Sequence, residues 1–320
     1  MTEATSKAMR HAVLGAGGIG GLIGACLARS GDAVTLVVRP ETLAQYPKTL
    51  RLESAFGNFA VDVEIATEVP AADALPIDVL WITVKATQLE AALGEIKKPD
   101  SVRAIVPLLN GIDHIALLRA RYGAERVIPA TIAVEAERVT PGHIIHRSPF
   151  ARLQVSSAGQ KLLGGTLDQL QRIGFECHFV DNEPTLIWGK LVFLAPFALT
   201  TTAANKTVGE ILADPYWRNL GEACVREACA VGIAEGASVD AGKVLAGVVS
   251  MPANMRSSMM KDVAAHKAPE LDAIAGPILR GAQRHAIDVP ATKKLVAAVQ
   301  DRAGYPAARL ISGMPSTTVP

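Results

Sequence analysis

Apolar positions keep one rhythm up to about residue 181 and another beyond it. In the first part, short apolar runs of strand length alternate with stretches whose apolar residues recur at the helical period. A strand ahead of Gly15, a helix reaching about Ser30 and a second strand ending at Arg39 open the chain, and apolar strands follow over 77–86 and 102–111. Residues 126–146 and 151–157 add strand-like segments broken at Pro141-Gly142, expected to close the sheet with an antiparallel portion. Residues 164–182 read as a last helix and strand. From 183 onward only the helical period remains, over 184–204, 208–213, 215–236, 239–248, 254–265, 269–286 and 291–303. Pro184, Pro215 and Pro269 lie near first turns, Asp214 is placed to cap the helix at Pro215, and 314–320 reads as a loose tail. The pattern predicts an α/β domain over 1–181 followed by an all-helical domain over 182–320.

Between the first strand and the first helix stands Gly15-x-Gly17-x-x-Gly20. In that setting the spacing is the dinucleotide fingerprint of a Rossmann-type sheet. The first glycine permits the tight turn, the second lets backbone approach a pyrophosphate, and the third lets helix and strand pack closely. Gly15, Gly17, Gly18, Ile19 and Gly20 are therefore the residues expected around the cofactor, with free amides at the helix start facing the anion. Where an NAD enzyme carries Asp or Glu at the end of the second strand, this chain has Arg39, whose guanidinium suits a 2′-phosphate and predicts NADP(H). Lys85 and Asn110 close the next two strands, at the carboxyl edge where open α/β sheets bind ligands.

The 320 residues are 49% apolar and 20% charged, a globular composition with room for two cores. A net charge of +1 provides no field to gather nucleic acid or an anionic membrane, so the expected partners are a small molecule or a second copy of the chain. Cys26, Cys177, Cys224 and Cys229 are scattered without a C-x-x-C pair, which points to reduced thiols in the cytoplasm and to no metal centre. His143 and His146, just after a turn, fit a strand face better than a ligand set. Lys7 and Arg10 precede an apolar run in the manner of a secretory signal, but Gly15, Gly17, Gly18, Gly20 and Gly21 interrupt the helix a signal core requires. Lys190 and Pro196 likewise interrupt the best candidate membrane span, and a soluble protein is expected.

Lys190 is the one ionisable residue in the run 188–200. Apolar residues surround it on every side of the predicted helix, so its amine has little surface along which to reach water. Burial lowers the pKa of an amine toward the working range and makes it a better proton donor to a developing alkoxide.

These residues line up with a known family. Gly15-x-Gly17-x-x-Gly20, the strand ending in Arg39, "TVKATQ" with Lys85, "LLNG" with Asn110, "PGHIIH", "WGKL" with Lys190, "SSMMKDV" with Ser258 and "PELDAIAG" with Glu270 together resemble the ketopantoate reductase (2-dehydropantoate 2-reductase) family, over about residues 11–310. The resemblance implies NADPH-dependent reduction of a 2-oxo acid between a Rossmann domain and a helical domain, with Lys190 as general acid and Asn110 at the cofactor and substrate edge. It also implies that Lys85 helps fix the cofactor, that Glu270 binds the substrate's distal hydroxyl, and that Ser258 holds its carboxylate. Each has a plainer reading: Glu270 and Asp272 suit a helix start through the dipole alone, and Ser257 or Ser258 could be ordinary helix positions.

The chain departs from the family at Leu194, Ala198 and Met255, where the family places asparagines that contact substrate. Leu194 and Ala198 follow Lys190 by one and two helical turns and are expected to share its face, beside the substrate. With those amides lost, the apolar wall beside Lys190 suits a 2-oxo acid with a larger, more hydrophobic side chain as much as it suits ketopantoate. Two alternatives stay open: a 2-hydroxyacid dehydrogenase running on NAD(H) or NADP(H), and a non-catalytic NADP-binding sensor. Apolar content in the helical part leaves room for a homodimer.

Overall fold

The computed structural model describes residues 8–70 and 76–304, so the sequence reading of a loose tail at 314–320 lies outside the described residues. The chain forms two compact units. One runs to Leu109 and resumes over His114–Leu186; the other takes Asn110–Asp113 and the described chain from Ile187 on.

In the first unit the strands are β1 (Arg10–Leu14), β2 (Ala33–Val37), β3 (Thr49–Glu53), β4 (Phe59–Asp62), β5 (Glu64–Ala66), β6 (Ile77–Ile82) and β7 (Val102–Pro107), followed by β8 (Ala130–Ala133), β9 (Ala136–Thr140), β10 (His143–His146), β11 (Arg152–Ser156) and β12 (Glu176–Val180). Its helices are α1 (Gly18–Arg29), α2 (Leu89–Leu93), α3 (Asp113–Tyr122) and α4 (Gln160–Ile173), the first residue of α3 belonging with the other unit. The central sheet is five-stranded and wholly parallel, in the order β5-β2-β1-β6-β7. Apart from the edge strand β5, its strands are buried on both faces, as near-continuous apolar runs in a parallel sheet should be. Val13, Val79, Trp81 and Val106 pack with Leu22, Ile23 and Leu27 of α1. Their neighbours Leu14, Leu80, Ile82 and Ile105 turn to the opposite face with Leu89, Leu93 and Leu118. The chain leaves β1 for β2 on one side and for β6 on the other, so the strand order reverses at the carboxyl end of β1, where Gly15 begins the turn.

The expected antiparallel closure of this sheet does not occur. β8, β11 and β12 form a three-stranded sheet of their own, and β3, β4, β9 and β10 a four-stranded one. A single parallel bridge, Ile105 to Val127, extends the central sheet beyond β7. Pro129, with no N–H to donate, follows two residues later and suits the end of that ladder. His143 and His146 lie on β10: His143 bonds Glu53 (2.7 Å), and His146 is buried against the Ser54 hydroxyl (2.8 Å).

The helices of the second unit follow the periodic segments closely: α5 (Glu183–Ala204, entered from the first unit), α6 (Val208–Ala213), α7 (Pro215–Ala234), α8 (Ala241–Val249), α9 (Ser258–Ala264), α10 (Leu271–Arg284) and α11 (Pro290–Ala303). Side chains mark the starts. Asp214 accepts from the amides of Tyr216 and Trp217, Thr207 and Glu210 close a reciprocal capping box, and Asp240 accepts from Lys243. α9 begins later than the expected 254 because the Ser257 hydroxyl takes the Met260 amide, while Pro252 to Met255 form a turn.

α5 lines much of the core of this unit. Trp188, Leu191, Val192, Ala195, Ala198 and Leu199 are buried against α7 and α10 residues such as Val225 and Ile274. Among the described residues it is the one helix long and apolar enough to cross a membrane, and 67% of its apolar window is buried inside the protein. The expectation of a helix enclosed on every side is corrected, however. Gly189 is exposed, and Ile187, Lys190, Phe193, Leu194 and Phe197 are half-buried, so one flank of α5 stays partly open.

Candidate active site

The glycine turn in the first unit is shaped by contacts that exclude a β-carbon. Gly15 has φ +105°, and a β-carbon there would lie 2.7 Å from Val84 Cγ1 and 2.9 Å from Val84 N. Its carbonyl accepts from the Thr83 hydroxyl (2.6 Å) and the Gly17 amide (2.9 Å), which locks the turn. A β-carbon on Gly18 would lie 2.1 Å from the Ala136 carbonyl oxygen, and one on Gly20 would lie 2.1 Å from Gly15 O. Gly17 differs: nothing lies within 4 Å of the place its β-carbon would take. It is the N-cap of α1, and no side chain caps the amides there. An open space in front of uncapped helix amides fits the pyrophosphate of a dinucleotide. Ile19 is half-buried beside the sheet core.

Arg39 follows β2 and is exposed; its guanidinium Nε lies 3.4 Å from Glu41 Oε1. Lys85, half-buried, follows β6 at the head of a short 3-10 turn, Ala86–Gln88. Thr83, which holds the Gly15 carbonyl, carries no mark in the sequence beyond its place directly after an apolar strand.

The second unit carries a separate polar chain. Lys190 Nζ donates to Asn110 Oδ1 (3.1 Å), and Asn110 Nδ2 donates to Glu270 Oε2 (3.1 Å). The asparagine amide reads both neighbours at once: its oxygen faces the cation and its N–H₂ the carboxylate. Glu270 occupies the N-cap of α10 but makes no capping bond with its side chain, and it is buried (6% exposed). Its carboxylate therefore serves Asn110 in place of the helix amides. Part of the Lys190 side chain meets solvent, yet burial around its ammonium draws the pKa down to about 8, while the charge of Glu270 pulls it back up. An amine so poised can hold a proton at neutral pH and release it to a strong base such as an alkoxide.

The remaining expected site residues fall in different surroundings. Leu194 is half-buried at the edge of the helical core. Ala198 is only 1% exposed within that core, so its methyl group offers no open face to a ligand and the expectation of a substrate contact is corrected. Met255 is half-buried, and its carbonyl accepts from the Val208 amide (3.1 Å). Ser258 is the exposed first residue of α9, whereas its neighbour Ser257 is buried and bonded to Thr201 (2.8 Å). An apolar cavity of about 60 Å³ lies further along α5, lined by Pro196, Phe197, Val225, Leu245 and Val248, with the Thr200 hydroxyl buried on its wall without a hydrogen-bond partner. Its walls include neither Lys190 nor Glu270, so the hydrogen-bonded chain defines the site and the cavity does not.

The two units fit one class of protein: an oxidoreductase that binds a nicotinamide dinucleotide and works on a CH–OH/C=O couple. The ketopantoate reductase PanE/ApbA model matches residues 11–159 and its C-terminal counterpart matches residues 184–303, so the chain belongs to the PanE/ApbA ketopantoate reductase family. The 2-dehydropantoate 2-reductase of Caulobacter vibrioides is 32% identical over 294 residues, covering 89% of this chain and 96% of its own length. YkpB, an oxidoreductase of Bacillus subtilis, is 28% identical over 302 residues, covering 91% of this chain and 98% of its own length. A PanE/ApbA family ketopantoate reductase from Ralstonia eutropha JMP134 superposes with a TM-score of 0.80 at 25% identity, over 92% of this chain and 99% of that one. D-mandelate dehydrogenase, crystallised with NADH and anilino(oxo)acetate, shares the fold with a TM-score of 0.79 at 23% identity, again over 92% of this chain and 99% of that one. Membership carries with it oxo-acid reduction of the 2-dehydropantoate 2-reductase kind.

Proposed function

We propose that this chain reduces a 2-oxo acid to a 2-hydroxy acid with NADPH, and that Lys190 is the proton donor. The observation that supports this most is the bonded chain from Lys190 through Asn110 to Glu270. When bound, the reduced nicotinamide supplies the hydride. Lys190 gives its proton to the carbonyl oxygen as that oxygen gains charge, and Asn110 Oδ1 keeps the ammonium aimed by accepting one of its three N–H bonds. Glu270 fixes the amide from its other end and keeps the lysine charged near neutrality. Ser258 and Glu270 are the groups we assign to the substrate's polar ends, and Gly17, Gly18 and Ile19 to the pyrophosphate, with Lys85 beside the cofactor. Four buried, free cysteines support a reducing, cytoplasmic setting.

Arg39 sets the cofactor in this reading. Its partner Glu41 is itself well exposed, and a surface pair of that kind contributes little, so a 2′-phosphate readily takes its place. Replacing Arg39 by Ala should weaken NADPH by roughly 10–30-fold, the worth of one charge-assisted phosphate contact, and leave NADH within about 2-fold. Fluorescence titration of both cofactors checks this; equal losses for the two would remove Arg39 from the selection.

A second reading concerns the substrate side chain. Leu194, one turn after Lys190 on the partly open flank of α5, favours an aryl or branched aliphatic group over the hydroxylated chain of ketopantoate. D-mandelate dehydrogenase, of the same fold, is a precedent for such a group. We expect kcat/KM to favour aryl or branched 2-oxo acids over ketopantoate by about 10-fold or more, and Leu194→Asn to narrow the gap. A clear preference for ketopantoate in the unaltered enzyme would return the chain to the ordinary substrate of its family.

A further inference from the structure

We infer that Arg280 and Asp113 are positioning residues for the reaction: they bind the Asn110 turn to α10, and so keep the Asn110 amide aligned between Lys190 and Glu270. The inference rests on the reading of Lys190 as proton donor.

Four observations carry it. Asn110–Asp113 leaves the unit of its sequence neighbours on both sides and is counted with the helices. Gly111, at φ +84°, lies so close to α10 that a β-carbon on it would sit 2.3 Å from Ala273 O. Asp113 is bonded to the Arg280 guanidinium through Arg280 Nη2, and Arg280 Nη1 donates to Asp272 Oδ1 (2.8 Å). A β-carbon on Gly276, midway between Asp272 and Arg280 on α10, would lie 2.4 Å from Arg280 Nη2, so the missing side chain is what leaves the guanidinium its place.

The geometry makes Arg280 a two-pronged tie. One prong is anchored on its own helix by Asp272; the other holds the turn that begins at Asn110. Glu270 lies at the start of the same helix. Asn110 and Glu270 thus belong to one clamped piece, and the 3.1 Å bond between them does not have to be re-formed from a mobile loop in each turnover. The Arg280 side chain is 23% exposed and that of Asp113 41%, so the tie is screened at its Asp113 end and acts through its geometry more than through its charge.

Arg280→Gln, Asp113→Asn, their combination and Arg280→Lys test it, with kcat, KM, the pH dependence of kcat/KM and thermal unfolding measured for each. With the tie cut, Asn110 drifts, Lys190 loses part of the support for its charged form, and its pKa falls. Arg280→Gln should lower kcat by about 10-fold with KM changed less, and move the alkaline limb of kcat/KM to lower pH by about half a unit. Asp113→Asn should give the same shift, the double variant should be no worse than either single one, and Arg280→Lys should recover part of the loss. An unmoved limb in Arg280→Gln and Asp113→Asn, or additive losses in the double variant, overturns the inference. Asp113→Asn, at the exposed end of the tie, gives the pH readout even where Arg280→Gln folds poorly. Failure of the underlying reading is separate: Lys190→Ala would then keep its turnover whatever Arg280 does.

Discussion

Lys190→Ala should lower kcat for 2-oxo acid reduction by roughly 10²–10⁴-fold, the ordinary worth of a positioned general acid, in a protein that still folds. The substitution removes one long side chain from the partly open flank of α5 and leaves the buried residues of that helix in place. Lys190→Arg should be nearly as slow, because a guanidinium keeps its proton throughout the working range. The pH dependence gives the sign. Reduction needs the ammonium, so kcat/KM should hold below the lysine's pKa and fall as pH rises through about 8. Oxidation of the 2-hydroxy acid needs the neutral amine and should rise across the same interval. Glu270 raises that pKa, so Glu270→Gln should bring the fall in reduction to lower pH. Steady-state rates followed by nicotinamide absorbance decide it: Lys190→Ala within about 5-fold of the unaltered enzyme would assign the proton to another group.

The chemistry-bearing residues stand out in the sequence where a local rule governs them. Gly15 and Gly20 are legible because a tight turn and a close packing contact exclude side chains there, and Gly17 because it completes the fingerprint spacing between them. The helices from α5 on are legible because their apolar stripe, Asp214 and Pro215 obey short-range rules. Lys190 is noticeable because one charge interrupts an apolar run. What eluded the pattern depends on pairing at a distance. The strands β3, β4, β9 and β10 are short, and their partnership joins residues near 51 to residues near 143, which no local period announces. Ala198 keeps the spacing of a face shared with Lys190, but eight residues carry it far enough round α5 to enter the core. Asn110 ends an apolar strand segment, and nothing in that run says that Glu270, 160 residues on, will bind its amide. Arg280 and Asp113 look like ordinary helix charges until α10 and the turn are seen together.

Gly20→Ala and Gly17→Ala should fail for opposite reasons, which separates the two uses of one glycine motif. On Gly20 a methyl group would meet Gly15 O at 2.1 Å, Thr83 Oγ1 at 2.4 Å and Val13 Cγ1 at 3.0 Å. Gly15 O and the Thr83 hydroxyl are the two ends of the bond that locks the turn, Val13 lies on the strand beneath it, and none of the three can give way without moving α1 off the sheet. Destabilisation of about 3 kcal/mol or more is expected, with cofactor binding lost as the turn opens. On Gly17 the methyl group would meet nothing within 4 Å, and alanine adopts its φ of −82° and ψ of −162° without strain. The chain should therefore fold with its melting temperature nearly unchanged, while the methyl group fills the space that the pyrophosphate needs. Loss of one or two amide contacts to the phosphates should weaken NADPH by roughly 10–100-fold. Thermal unfolding without cofactor, set beside NADPH titration, distinguishes them: Gly17→Ala should lose affinity at full stability, and Gly20→Ala should lose both. Undiminished NADPH affinity in a well-folded Gly17→Ala protein would place the pyrophosphate somewhere other than the start of α1.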